Sequence, residues 1–149
     1  MRVRPILVLD ANVFIAALKK NEKYSEKCVD ILSSIPGNFL LAEPSIIYQE
    51  VCGTLARRVG LAVADEAKAI LDKIIEPSFL IECSKDFCIS AYRLCYDYNI
   101  YSIDALYLKV ALDINGILVS LDKEDFIDRV KNKMPPIEVY HVTEFSYIK

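Results

Sequence analysis

"ILVLDANVFI", residues 6–15, decides how this chain is read. Residues 6–9 form an unbroken apolar run, short enough for a strand buried on both faces. The "NVFIAALKK" that follows has helical periodicity, and a buried strand feeding a helix opens a parallel α/β sheet. Yet Asp10 and Asn12 sit in the middle of the otherwise apolar 6–15 stretch, where an unpaired charge is costly. Something has to compensate Asp10.

The rest of the chain repeats the alternation. A helix is expected over 24–34, stopped by Pro36 and Gly37, then a strand "FLLA" over 39–42. Pro44 suits a first helical turn, so a helix is expected from there to Val59, before Gly60. "AVADEAKAILDKII" (62–75) is an amphipathic helix and "FLIEC" (79–83) a strand, after which Ser84 can cap a helix over 85–98. "SIDALYLKVALDING" has Ser102 at its start and Gly116 just past its end. "ILVSLD" (117–122) is a strand, "KEDFIDRVKNK" a helix, and "IEVYHV" (137–142) the last strand. The expectation is one domain over 1–149: a three-layer α/β/α fold around a mostly parallel, five-stranded sheet. Ligands of such sheets sit beyond the carboxyl ends of the strands.

Composition excludes several functions. The 149 residues are 54% apolar, and no apolar stretch approaches the ~20 residues of a membrane span. The opening "MRVRPILVLD" lacks the pattern of a secretory leader, so the cytoplasm is the expected location. Cys28, Cys52, Cys83, Cys88 and Cys95 contain no CxxC pair, and His141 is the single histidine. That donor set does not suit zinc, and the cysteines read as small apolar residues of a reducing compartment. A net charge of −3 argues against a broad basic surface for nucleic acid, but not against acids gathered around cations.

Asp10 and Asp122 each stand at the end of an apolar strand, at the edge where sites form. Asp10 also suits a helix cap, and Asp122 the turn "LDKED". Asp104 falls in the first turn of its helix, where the dipole favours an anion. Glu50, in "PSIIYQEVCGTLARR", shares a helix face with Gly53. That glycine makes room for a substrate backbone or for a close helix crossing. If gathered, these four acids would repel one another unless a counter-charge were present. Mg²⁺ or Mn²⁺ would supply it through carboxylate oxygens and water.

"VLDANVFI", "PSIIYQEV", "SIDALYLKVAL" and "LVSLDKEDF", in that order and spacing, resemble the PIN-domain ribonucleases, in size and layout close to the VapC toxins of toxin–antitoxin pairs. The resemblance covers nearly the whole chain. It implies a sheet ordered 3-2-1-4-5 and Mg²⁺- or Mn²⁺-dependent, in-line hydrolysis of single-stranded RNA. Carried over by motif, Asp10 and Asp104 would hold the principal metal, with Glu50 and Asp122 completing the acidic pocket. Asn12 and Ser120 would fix carboxylates and waters. The family also implies a homodimer and an antitoxin partner whose peptide enters the groove. Glu124 and Asp125 follow Asp122 closely and could share its role.

Setting the four acids aside turns the net charge of −3 into +1, so phosphate contacts fall to a few residues such as Lys19, Lys20, Arg57 and Arg58. Tyr92, Tyr96, Tyr98, Tyr101 and Tyr107 crowd one region and are expected in the core or at a subunit interface. His141 reads as a structural strand residue. A haloacid-dehalogenase-like phosphatase would need an aspartate where Asn12 stands. The non-enzymatic alternative is a catalytically silent PIN-fold module that binds RNA or protein.

Overall fold

The computed structural model describes residues 3–146. In chain order the elements are β1 (Ile6–Leu9), α1 (Ala11–Leu18), α2 (Ser25–Ser33) and β2 (Leu40–Pro44). A helical stretch follows: α3 (Ile46–Tyr48), a π-helical turn π1 (Gln49–Gly53) and α4 (Thr54–Arg58). Then come α5 (Leu61–Ile74), β3 (Ile75–Ile81), α6 (Lys85–Ala91), α7 (Arg93–Tyr98) and α8 (Ser102–Ile114). The chain continues through β4 (Ile117–Ser120), a second π turn π2 (Lys123–Ile127), α9 (Asp128–Asn132) and β5 (Val139–His141).

Every strand pair is parallel, and the sheet order is β3-β2-β1-β4-β5. The expected fold class is therefore the observed one. β1 lies at the centre, in register Val8 opposite Ala42 on one side and Leu118 on the other. Burial on both faces explains why "ILVL" has no polar alternation: Leu7, Val8 and Leu9 are all inaccessible to solvent. Helix α8 packs across β2, β1 and β4 through its buried residues Tyr107, Leu108 and Ala111. Each of the larger side chains so buried contributes ~1.5–3 kcal/mol.

Several boundaries differ from expectation, each for a local reason. Pro44 does not begin a helix. It closes β2 opposite Ile81, where it needs no N–H, and the next residue's N–H (Ser45) supplies the bond to Ile81 O at 2.8 Å. β3 starts at Ile75 rather than at residue 79 and contains Pro77, which an edge strand tolerates. The β2–β3 register accordingly shifts between Leu41 and Glu43. Ser84 caps α6 as expected, accepting from Phe87 N at 3.1 Å. Ser102 caps nothing: it lies inside α8, whose N-cap is Tyr101. α8 ends on Asn115 in the left-handed conformation, and Gly116 serves a different need. A Cβ there would meet Ile6 O and Val8 Cγ2 at 3.3 and 3.4 Å, so Gly116 lets the turn approach β1.

Candidate active site

The carboxyl ends of β1 and β4 are tied together by one set of hydrogen bonds. Ser120 Oγ donates to Asp10 Oδ2 at 2.7 Å, and Asn12 Nδ2 donates to the same oxygen at 3.3 Å and to Ser120 Oγ at 3.2 Å. In return, Leu121 N donates to Asn12 Oδ1 (3.1 Å) and Asp122 N to Ser120 Oγ (3.0 Å). Asp10 is the N-cap of α1 by backbone position, but its side chain makes no cap bond. Its carboxylate faces β4 instead.

Glu50 comes from π1, where one wide turn interrupts the α-helical pattern and is flanked by α3 and α4. Such turns often occur at functional sites. Glu50 Oε1 accepts from the hydroxyl of Tyr107 at 2.6 Å, and Tyr107 is fully buried in α8. Gly53 makes no close helix crossing. A Cβ at that position would meet only the side chain of Gln49, one turn back in the same helix. Asp104 lies half-buried in the first turn of α8. Asp122 caps π2, accepting from Asp125 N at 3.1 Å, so the turn reading is realised there.

The charges on these residues act on one another. Burial pushes Asp10 up to about 7 against the bond from Ser120, and the charges of Glu50 and Asp122 push the same way. Asp104 also rises to about 7, through burial and then the charges of Asp10, Asp122, Glu50 and Asp125. The four acids therefore occupy one electrostatic neighbourhood. None of them takes part in an ion pair among the described residues. Asp125, by contrast, is paired with Arg129 at 3.0 Å, which sets it apart from Asp122. Glu124 is exposed.

One acid was not singled out from the sequence. Glu43, near the end of β2, is fully buried, and neither carboxylate oxygen has a hydrogen-bond partner. Burial raises it well above the ordinary glutamate value, helped by the charges of Asp10 and Glu50 and opposed by the nearby backbone N–H of Leu9. Its only sequence signal is an acid inside "LLAEP", one residue past the expected strand 39–42.

The donor chemistry fits a hard divalent cation: all-oxygen donors, no basic neighbour in an ion pair, and buried acids that repel one another. The ligand set is not ready-made. Among the described residues, no three His, Cys, Asp or Glu side chains are grouped so as to hold a metal ion. Binding would have to draw the carboxylates inward.

The remaining candidates spread over the surface. Lys19 pairs with Glu22 at 2.9 Å, while Lys20, Arg57 and Arg58 are exposed. Tyr107 is core, Tyr98 is half-buried, and Tyr92, Tyr96 and Tyr101 are exposed. Cys28 is buried, whereas Cys88 is exposed rather than core. His141 is buried in β5, its Nδ1 2.7 Å from Thr143 Oγ1 and its ring edge-on to Tyr24. No described helix is long and apolar enough to cross a membrane.

Residues 7–133 match the PIN domain family. No curated protein sequence matches the chain. Among solved structures it resembles VapBC2 from Rickettsia felis, bound to a DNA fragment from its promoter. That match has 18% identity and a TM-score of 0.63, and covers 91% of this chain and 98% of that one. A second is VapC20 of Mycobacterium tuberculosis, described as a sarcin-ricin loop cleaving toxin. It has 16% identity and a TM-score of 0.66, over 80% of this chain and 91% of that one. A third is FitAcB from Neisseria gonorrhoeae, at 16% identity and a TM-score of 0.62, over 94% and 99%. At these identities the likeness is one of fold.

Proposed function

This chain belongs to the PIN domain family, and on that premise we propose that it is a Mg²⁺- or Mn²⁺-dependent endoribonuclease that cuts single-stranded RNA, acting as the toxin of a toxin–antitoxin pair. The observation that carries the proposal is the convergence of four acids from separate segments, the charges of Glu50 and Asp122 bearing on the buried Asp10 and on Asp104, with no basic ion-pair partner among the described residues. Bound there, a hard divalent cation would supply counter-charge and Lewis-acid polarisation of a phosphodiester.

The chain's own residues then have distinct tasks. Asp10 and Asp104 would hold the ion. Glu50, steadied by Tyr107, and Asp122 would orient a water in line with the scissile bond and take up its proton. Asn12 and Ser120 hold the Asp10 carboxylate in one orientation. Water oxygen bonds to phosphorus as the bond to the 3′-oxygen breaks, and that oxygen takes a proton from solvent, leaving a 5′-phosphate and a 3′-hydroxyl. Lys20, Arg57 and Arg58 are exposed cations for flanking phosphates.

The test is cleavage of end-labelled single-stranded RNA with Mn²⁺, with EDTA, and by Asp10→Asn. Cutting that EDTA and the substitution both abolish is the expected result. One observation favours the other reading, a silent module that binds RNA or protein: the absence of a ready-made ligand set among the described residues. RNA binding without any cutting in Mn²⁺ would establish that reading instead.

A further inference from the structure

The mechanism above leaves Glu43 without a task, and the fold has no packing reason for it. Its two carboxylate oxygens are the only buried side-chain polar atoms among the described residues that lack a partner. The neighbouring positions of β2, Leu41, Ala42 and Pro44, are buried and apolar, so an aliphatic residue would suit position 43 better. Only the Leu9 N–H eases its charge, without a hydrogen bond of good geometry, and a buried acid so poorly satisfied calls for an explanation.

Its location supplies one. Continuing the β1–β2 register one step past Val8 and Ala42 sets Glu43 beside Leu9, the residue before Asp10. Tyr107, which holds Glu50 from the helix packed over these strands, feels the charge of Glu43 ahead of those of Glu50 and Asp10. Glu43 thus lies behind the acids, near both the strand end that carries Asp10 and the tyrosine that holds Glu50.

We propose that Glu43 is a fifth carboxylate of the cation site, forming its inner wall and reaching the ion, directly or through one of its waters, alongside Asp10 and Glu50. The two orphaned oxygens are then the side of the site that a hard cation satisfies. This rests on the cation reading given above, and it adds a residue that the motif resemblance does not assign.

The experiment is calorimetric titration of the whole chain with Mn²⁺, with melting temperatures measured in EDTA and in Mn²⁺. The proteins are the unaltered chain, Glu43→Gln and Asp10→Asn. Glutamine keeps the shape and removes the charge. The Glu43→Gln protein is expected to melt higher than the unaltered chain in EDTA and to gain less from Mn²⁺. Its affinity for the ion should fall on the order of tenfold to a hundredfold, the usual effect of altering a metal site's supporting shell. Should glutamine at 43 prevent folding, Glu43→Met gives the same affinity reading with an apolar side chain of similar length. An unchanged Mn²⁺ affinity in either variant, with Asp10→Asn deficient, overturns the role of Glu43 and leaves the cation reading intact. No Mn²⁺ binding by the unaltered chain overturns both.

Discussion

Asp10 is the residue on which the chain's electrostatics turn. Its ordinary value of 3.8 rises to about 7 in the fold, and Asp104 moves equally far. Below pH ~3.8 both acids are protonated whether folded or not, and no penalty applies. As pH climbs towards 7 the unfolded chain releases protons that the folded chain retains, so stability falls across that window. In EDTA the protein should therefore show a higher urea midpoint at pH 5 than at pH 8, and Mn²⁺ should restore the loss at pH 8. A midpoint that rises with pH in EDTA would contradict the burial argument. Asp10→Asn removes the ionisation itself, a term on the order of 4 kcal/mol at most. Its melting temperature at pH 8 in EDTA should exceed that of the unaltered chain by roughly 5–10 °C. Asp10 was legible because a charge inside an unbroken apolar run has few explanations. Glu43 was not, because "LLAEP" ends in a proline that suggested the strand was already over. Tyr107 was legible as a buried residue, but nothing in its spacing showed a hydroxyl reaching Glu50.

Among the elements, strands were more legible than their ends. Apolar runs marked β1, β2, β4 and the latter half of β3, whereas the last residues of β3 and β4 were placed too far along, since sequence shows apolarity but not where ladder bonds stop. Neither π turn was visible. An extra residue in a turn leaves the apolar stripe of Ile47, Val51 and Leu55 intact, so periodicity reads straight through it. Gly60 marks a break that was legible. It stands between α4 and α5 at φ +139°, a region that side chains rarely enter. Gly60→Ala has open space around it and still carries the backbone strain, so it should cost about 1–3 kcal/mol in urea unfolding. Tyr107→Phe should keep the packing of α8, melt within a few degrees of the unaltered chain, and lower RNA cleavage by freeing Glu50. Undiminished cleavage would remove Tyr107 from the account.

Taken whole, the molecule carries an exposed apolar region beside Asp104: Ile89, Tyr92 and Tyr96 on α6 and α7 and the turn between them, with Tyr101 and Ile103 at the start of α8. Cys88, Tyr92, Cys95 and Ile103 line a cleft within it. Tyrosines are enriched at subunit contacts, and we propose this face for a second copy. Light scattering should report a dimer that Tyr92→Glu converts to a monomer without lowering the melting temperature of the isolated subunit. The acidic pocket imposes a constraint of another kind. Its members are spread from residue 10 to residue 122, and β4, which orients Asp10 through Ser120, slots between β1 and β5. In sequence 110 residues separate Asp10 from the Ser120 that orients it. Premature termination within that span, or a proteolytic cut that frees β4, leaves a fragment with an incomplete set of acids.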